Sequence, residues 1–252
     1  MGSVIFRQKE AVTMFGLGTI INTAAIIAGG ILGGFFGNLL KERHQDSLCK
    51  ACGVCTLFIG ITGALEGMLT VEGNSVTSGG ALLIIACLAI GALIGEILNI
   101  EDAFERFGAW LKIKTGNAKD KRFIEGFVTA SLTVCIGAMA IVGAIEDGIQ
   151  GDPSILMTKS VLDLIIITVM TASMGRGCLF SAIPVAILQG GVTLLARLIQ
   201  PIMTDAALAN LSLVGNVLIF CVGINLVWDK RVRVANLLPA IVIAVIAAFL
   251  PF

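Results

Sequence analysis

The sequence predicts an all-α integral membrane protein of about eight transmembrane helices with internal, inverted repeats, and three observations lead there. Of 252 residues, 57% are hydrophobic and only 13% charged, against about 25% charged in an ordinary soluble domain; the mean hydropathy is +0.99. Residues 11–40, 73–95, 126–145, 177–196, 206–228 and 234–252 contain no Asp, Glu, Lys or Arg at all. A bilayer core about 30 Å thick needs roughly 20 apolar residues of helix to cross it. Six such runs in so short a chain leave too little polar sequence to enclose them as core helices of a soluble protein. Finally, the basic residues concentrate in alternate loops.

Residues 1–13 read as a flexible leader, with Met14 a candidate start, and 14–252 as one polytopic membrane domain. Gly, Pro and charge punctuate this domain into spans at 16–40, 49–70, 79–98, 123–148, 153–173, 177–199, 209–228 and 235–251. A cleaved signal peptide is not expected, since the first apolar run is too long and no polar mature sequence follows it.

The first span carries two stripes of small residues at four-residue spacing, Gly29, Gly33 and Gly37 on one and Gly30 and Gly34 on its neighbour. Without side chains, two helix backbones approach closely and gain dispersion contact that lipid cannot match. The stripes predict a partner helix, in this chain or in another subunit. The second span opens on Cys49, Cys52 and Cys55, a C-x-x-C-x-x-C run. It lacks the nearby fourth Cys and the loop that an iron–sulfur cluster needs, so these residues read as polarizable packing groups.

Between the third and fourth spans, residues 99–122 carry Asp102, Phe104, Phe107, Trp110 and Leu111 on a short helix. This amphipathic segment is expected at the cytoplasmic membrane surface or as a cytoplasmic hairpin. The basic residues of short loops give orientation: Lys41, Arg43 and Lys50, then six Lys and Arg in 99–122, then Arg176, then Lys230, Arg231 and Arg233. The intervening loops at 71–78 and 149–152 have none, and the one near 200–208 has only Arg197 at its edge. With eight spans, both termini are expected outside.

The fifth span holds the polar residues of most interest. Asp152-Pro153 reads as an N-cap followed by proline at the first helical position. Lys159 then lies about 9 Å and Asp163 about 15 Å into the helix at 1.5 Å per residue. Four residues apart, they share one face. An ionisable group in hydrocarbon costs about 2.5–3.5 kcal/mol on insertion scales, so such a pair needs mutual neutralisation or a wet cavity. Either it only fixes helix packing, or it lines a path for a substrate or coupling ion. Adjacent acids Glu146 and Asp147 close the fourth span, with Glu146 taken as part of an outer lining together with Asn22 of the first span. Gln189, preceding Gly190-Gly191 and following Pro184, suggests a kinked or interrupted sixth span. Asn225 in the seventh completes the candidate pathway of Lys159, Asp163, Gln189, Asn225, Asn22 and Glu146.

Internal repetition accompanies these groups. Leu57-Phe58-Ile59-Gly60-Ile61 of the second span resembles Val134-Cys135-Ile136-Gly137-Ala138 of the fourth and Phe220-Cys221-Val222-Gly223-Ile224 of the seventh. With the predicted topology, the last copy is inverted, the arrangement typical of secondary transporters. The single His44 lies in a charged loop, and no P-loop, dinucleotide fingerprint, zincin helix or Ser-His-Asp set is present. No enzyme activity, cofactor or metal is therefore expected, and zero net charge gives no case for nucleic acid. The partners expected are the lipid bilayer, a small solute or ion, and a second copy of the chain if the glycine stripes dock between subunits.

Five motifs, G-x-GTIINTAAIIAGGILGG from Gly16, FIEGFVTAS from Phe123, CIGAMAIVGAIEDG from Cys135, KSVLD from Lys159 and FSAIPVAILQG from Phe180, run nearly the length of the chain. Together they resemble the bacterial domain-of-unknown-function family 554, the YqgA/YdfK-like inner-membrane proteins. The resemblance implies a multi-pass protein of the bacterial cytoplasmic membrane and an expectation of transport, with no substrate attached. The rival expectation is a structural or accessory subunit that docks a partner through its glycine-rich helices.

Overall fold

Runs without charge become helix because an apolar solvent leaves the backbone only itself to hydrogen-bond. The computed structural model describes residues 15–72, 75–228 and 231–250; the leader expected at 1–13 and Lys230 lie outside them. The helices are α1 Leu17–Gly37, α2 Glu42–Met68, α3 Ala81–Leu98, α4 Ile100–Lys114, α5 Phe123–Cys135, α6 Ala138–Ile149, α7 Ser154–Met174, α8 Ala182–Leu194, α9 Ala196–Ile199, α10 Asp205–Trp228 and α11 Pro239–Ala247. Two 3-10 turns, Arg176–Ser181 and Val234–Leu237, lead into α8 and α11.

Among the described residues, six helices are long and apolar enough to cross a membrane: α1, α2, α3, α7, the helix from Arg176 to Leu194, and α10. The pair α5–α6 makes a seventh if counted as one bent span. The predicted eighth span is represented by the shorter apolar helix Val234–Ala247, about 21 Å long at 1.5 Å per residue.

Four expectations need correction. The loop at 71–78 is not irregular: β1 Leu69–Glu72 pairs antiparallel with β2 Ser75–Ser78, with Thr70 opposite Thr77. β-branched Thr70, Val71, Val76 and Thr77 favour the extended chain there. The fourth span is not continuous, since α5 and α6 meet at a bend of 62°. Gly137, at φ 141 and ψ 149, takes a conformation closed to L side chains and ends the helical ladder. The sixth span, by contrast, runs unbroken from Ala182 through Gln189, Gly190 and Gly191 to Leu194. Pro184 falls in the first turn of α8, where a missing N–H is tolerated; the irregular backbone sits earlier, at Gly175 with φ 95 and the 3-10 turn after it. Lastly, α7 begins at Ser154 rather than Pro153, and Asp152 Oδ1 accepts from both the Ser154 N–H and its hydroxyl. Those bonds hold the exposed Asp152 carboxyl below its ordinary range.

Close backbone approach sets the packing. Along α1, Gly29, Gly33 and Gly37 face Leu164, Thr168 and Ala172 of α7 in the same order, so these two helices run parallel. Between α2 and α10 the order reverses: Gly53 faces Leu226 and Val227, Gly60 faces Phe220, and Gly67 faces Leu213. Gly91 and Gly95 of α3 meet Ala240 and Asn236 in the same antiparallel sense. The stripe on α1 thus finds its partner inside the chain, and Gly30 of the neighbouring stripe packs on Leu179. Gly34 is loosely packed, with Thr171 Cγ2 4.0 Å from where a Cβ would stand.

The basic loops gather at one end, where Lys119, Asp120 and Arg176 line a cavity with Gly37 and Gln45, and Arg233 bridges Glu96 and Asp102, 2.9 Å from each. There α4 docks on α5 through Phe104 and Phe107 against Phe127, leaving Trp110 and Ile113 exposed. The α5–α6 pair runs away from this end. Near its start Gly126 abuts Cys178 and Met174, and near its finish Gly148 abuts Thr193 and Ala196.

Candidate functional site

Lys159 and Asp163 stand one turn apart on α7, and the lysine Nζ lies 2.7 Å from both carboxylate oxygens. Both are buried, at 8% and 3% relative exposure. Full desolvation makes this pair viable only because each charge is cancelled at contact distance. Around it four helices converge. From α1 comes Asn22, whose Nδ2 donates to Gln189 Oε1 of α8 at 3.1 Å and which also lies against Asp163. Cys135, the last residue of α5, lies within electrostatic reach of the ion pair beside the break.

Four of the six residues singled out from the sequence, Lys159, Asp163, Asn22 and Gln189, therefore meet in one place. The other two do not. Asn225 is used by the turn after α10, where its amide donates to Val232 O and accepts from the N–H groups of Arg231 and Val232. It closes a chain reversal at the basic end and lines the cavity there. Glu146 lines a separate cavity with Val142, Ile149 and Gln200 at the opposite end.

The acid that enters the core is its neighbour. Asp147 is fully buried, and its Oδ2 accepts from the Thr19 backbone N–H at 3.3 Å. The Thr19 hydroxyl in turn lies 3.2 Å from that of Thr193. Helical spacing carried this signal: Gly143, four residues before Asp147, packs on Ile155 and Leu156 of α7, so its face of α6 is the covered one. Thr19 precedes Asn22 by three residues and Thr193 follows Gln189 by four, which makes a polar ladder down the α1–α8 crossing. Within it Asn22 Oδ1, Gln189 Nε2 and Asp147 Oδ1 are buried and have no hydrogen-bond partner among the described residues.

The break supplies further charge. A helix end leaves unsatisfied backbone groups and about half a unit of partial charge, so α5 directs a negative end and α6 a positive end into the apolar slab. Ile136, at 5% exposure, packs against Gly215 of α10 at this level. A cavity of about 270 Å³ rises from Glu101, Lys121 and Glu125 at the basic end as far as Leu132, one turn below the break. Another of about 170 Å³ descends from Gln150 and Gln200 to Val142, about one turn above it.

A family described as a protein of unknown function (DUF554) matches residues 17–249. The chain belongs to this family. Among its DUF554 relatives, an uncharacterized membrane protein YdfK of Bacillus subtilis (strain 168) is 31% identical over 232 residues, which cover 92% of this chain and 95% of that protein. The uncharacterized protein YqgA of Escherichia coli (strain K12) is 32% identical over 232 residues, 90% of this chain and 94% of its own length. No solved structure matches the chain. The Bacillus relative is named a membrane protein, and with its several apolar helices this chain is a multi-pass membrane protein; neither relative's name carries an activity.

Proposed function

We propose that this protein is a transporter of a small solute or ion, with its site where α1, α7 and α8 meet beside the α5–α6 break. The observation that carries this reading is the coincidence of a discontinuous span with a buried ion pair and orphaned amide atoms. Discontinuous helices bring backbone partial charges to the level where substrates bind, and intramembrane ionisable groups mark ion and proton pathways. The cavities above and below Ile136 support two access routes that end one turn short of each other. On this reading, the closed ion pair corresponds to an occluded conformation.

The topology supports eight crossings. Helices α1 and α7 are parallel, α2 opposes α10 and α3 opposes α11, as alternating spans require when α5–α6 counts as one. The motif copies at Leu57–Gly60 and Phe220–Gly223 meet reciprocally, Gly60 on Phe220 and Gly223 on Leu57, which supports an inverted repeat. Under the positive-inside rule the basic end is cytoplasmic, and the membrane is the bacterial inner one. We assign no catalytic role.

A second reading, a non-transporting accessory subunit, is favoured by the sealed Lys159–Asp163 pair. Its glycine-docking part is weakened because Gly29, Gly30, Gly33 and Gly37 are covered within the chain. Proteoliposomes loaded with a panel of monovalent ions, amino acids and organic acids separate the readings. Wild-type protein is expected to carry one of them, and Asp163→Asn to slow that flux at least tenfold while the protein remains folded. A stoichiometric co-purifying partner together with flux indifferent to Asp163→Asn would establish the accessory role.

A further inference from the structure

Among the described residues, four charged side chains are buried: Glu101, Asp147, Lys159 and Asp163. Lys159 and Asp163 neutralise each other. Glu101 lies at the basic end, accepting from the Ala235 N–H at 2.9 Å. Asp147 differs from all three. It is fully buried, and among the described residues no Lys or Arg pairs with it and no donor reaches its Oδ1.

Two features of its position increase the need for a positive charge. Asp147 lies in the last turn of α6, which ends at Ile149, where the helix dipole adds negative potential to that of the carboxylate. Beyond the Thr19 N–H on its Oδ2, its surroundings offer oxygen. Thr19, whose N–H meets Asp147, brings its hydroxyl into contact with that of Thr193, and the carbonyls at the very end of α6 lack intrahelical donors by geometry. Among the described residues no three His, Cys, Asp or Glu side chains converge for a metal ion, so the donor set is one carboxylate and neutral oxygens. Hard oxygen donors suit a hard cation, and one uncompensated negative charge matches a single positive one. A cavity of about 200 Å³, lined by Phe15, Gly148, Thr193 and Arg197, reaches Thr193 from the end opposite the basic loops.

We propose that Asp147 holds one small monovalent cation, of sodium or lithium size, between α1, α6 and α8, with the hydroxyls of Thr19 and Thr193 as further ligands. Close packing sets the size: Gly18 and Gly143 bring Leu156 against this face of α6, and none of the cavities described above is lined by Asp147 itself. If the transport reading holds, this is the coupling ion, bound one helical turn from the Asn22–Gln189 amide pair. That clause alone rests on transport; cation binding does not.

The test uses the full chain purified in detergent, with thermal unfolding followed in sodium, lithium, potassium or choline chloride at matched ionic strength. A ligand that binds only the folded state raises its stability with concentration. Sodium or lithium is expected to raise Tm saturably by several degrees, with choline without effect. Asp147→Asn abolishes the response, and the near-isosteric Thr193→Val, which keeps the carboxylate, shifts its midpoint at least tenfold higher. If Asp147→Asn does not fold, Thr19→Val and Thr193→Val carry the test alone. A wild-type Tm that ignores all four cations overturns the proposal, and one that follows pH alone does so by assigning the site to a proton. Loss of cation response with solute flux retained would remove this site and leave the transport reading standing; the reverse outcome would do the opposite.

Discussion

Lys159→Met is expected to be the most damaging single substitution in the chain. It removes the cation 2.7 Å from both oxygens of Asp163 and leaves a carboxylate at 3% exposure with the Asn22 amide as its remaining polar neighbour. Breaking one side of a buried pair costs about 3–5 kcal/mol, whereas replacing both partners with apolar groups of similar size is often neutral or stabilising. Denaturant unfolding in detergent should therefore rank the double variant Lys159→Met/Asp163→Leu well above Lys159→Met and close to wild type. Additive losses in the double variant would show that the pair is not a closed unit.

The second large effect is expected at the α1–α7 crossing. A Cβ on Gly29 would stand 2.6 Å from the Leu164 carbonyl oxygen, and one on Gly33 would press on the Thr168 carbonyl and Thr171 Cβ. Backbone cannot yield as a side chain can, so Gly29→Val and Gly33→Val should each lose about 3 kcal/mol, the upper end of overpacking costs. Gly34 is the internal control. Its nearest contact, Thr171 Cγ2, stands at 4.0 Å, and Gly34→Ala should gain a few tenths to about 1 kcal/mol from helix propensity. Equal losses at Gly29 and Gly34 would mean that the stripe facing α7 has been misassigned.

How much of this could be read beforehand depended on whether the signal was local. The long spans were legible because charge is missing over whole turns of helix, throughout α1 and in all of α10 after Asp205. Lys159 and Asp163 were legible because two charges four residues apart in an apolar run have only each other for neutralisation. Gln189 and Asn22 were singled out as polar residues in span interiors, but their contact needed the antiparallel α1–α8 crossing. Gly137 was not legible: among 30 glycines nothing in its neighbours marks the one that breaks a helix rather than packs it. That single omission propagates. The rotation of α6 after the break decides which of two adjacent acids is buried, and the face of Gly143 turns Asp147 inward while Glu146 faces a cavity. Asn225 was drawn to the site because its motif repeats, whereas the turn that uses its amide forms only after α10 ends. The hairpin at Leu69–Ser78 was missed because a four-residue strand in a loop is too short to show its alternation.

Cys135 is a native reporter at the junction of the ion pair and the break. With the other six cysteines replaced by Ser or Ala, its reaction with a membrane-impermeant thiol reagent can be followed in sealed vesicles of both orientations. An opening polar centre predicts that Cys135 is modified from the aqueous phase in native vesicles, and more slowly when Lys159→Met/Asp163→Leu replaces the pair with apolar side chains. A Cys135 that stays unmodified from either side in both proteins, yet reacts at once in denaturing detergent, would contradict the claim that this centre ever meets water.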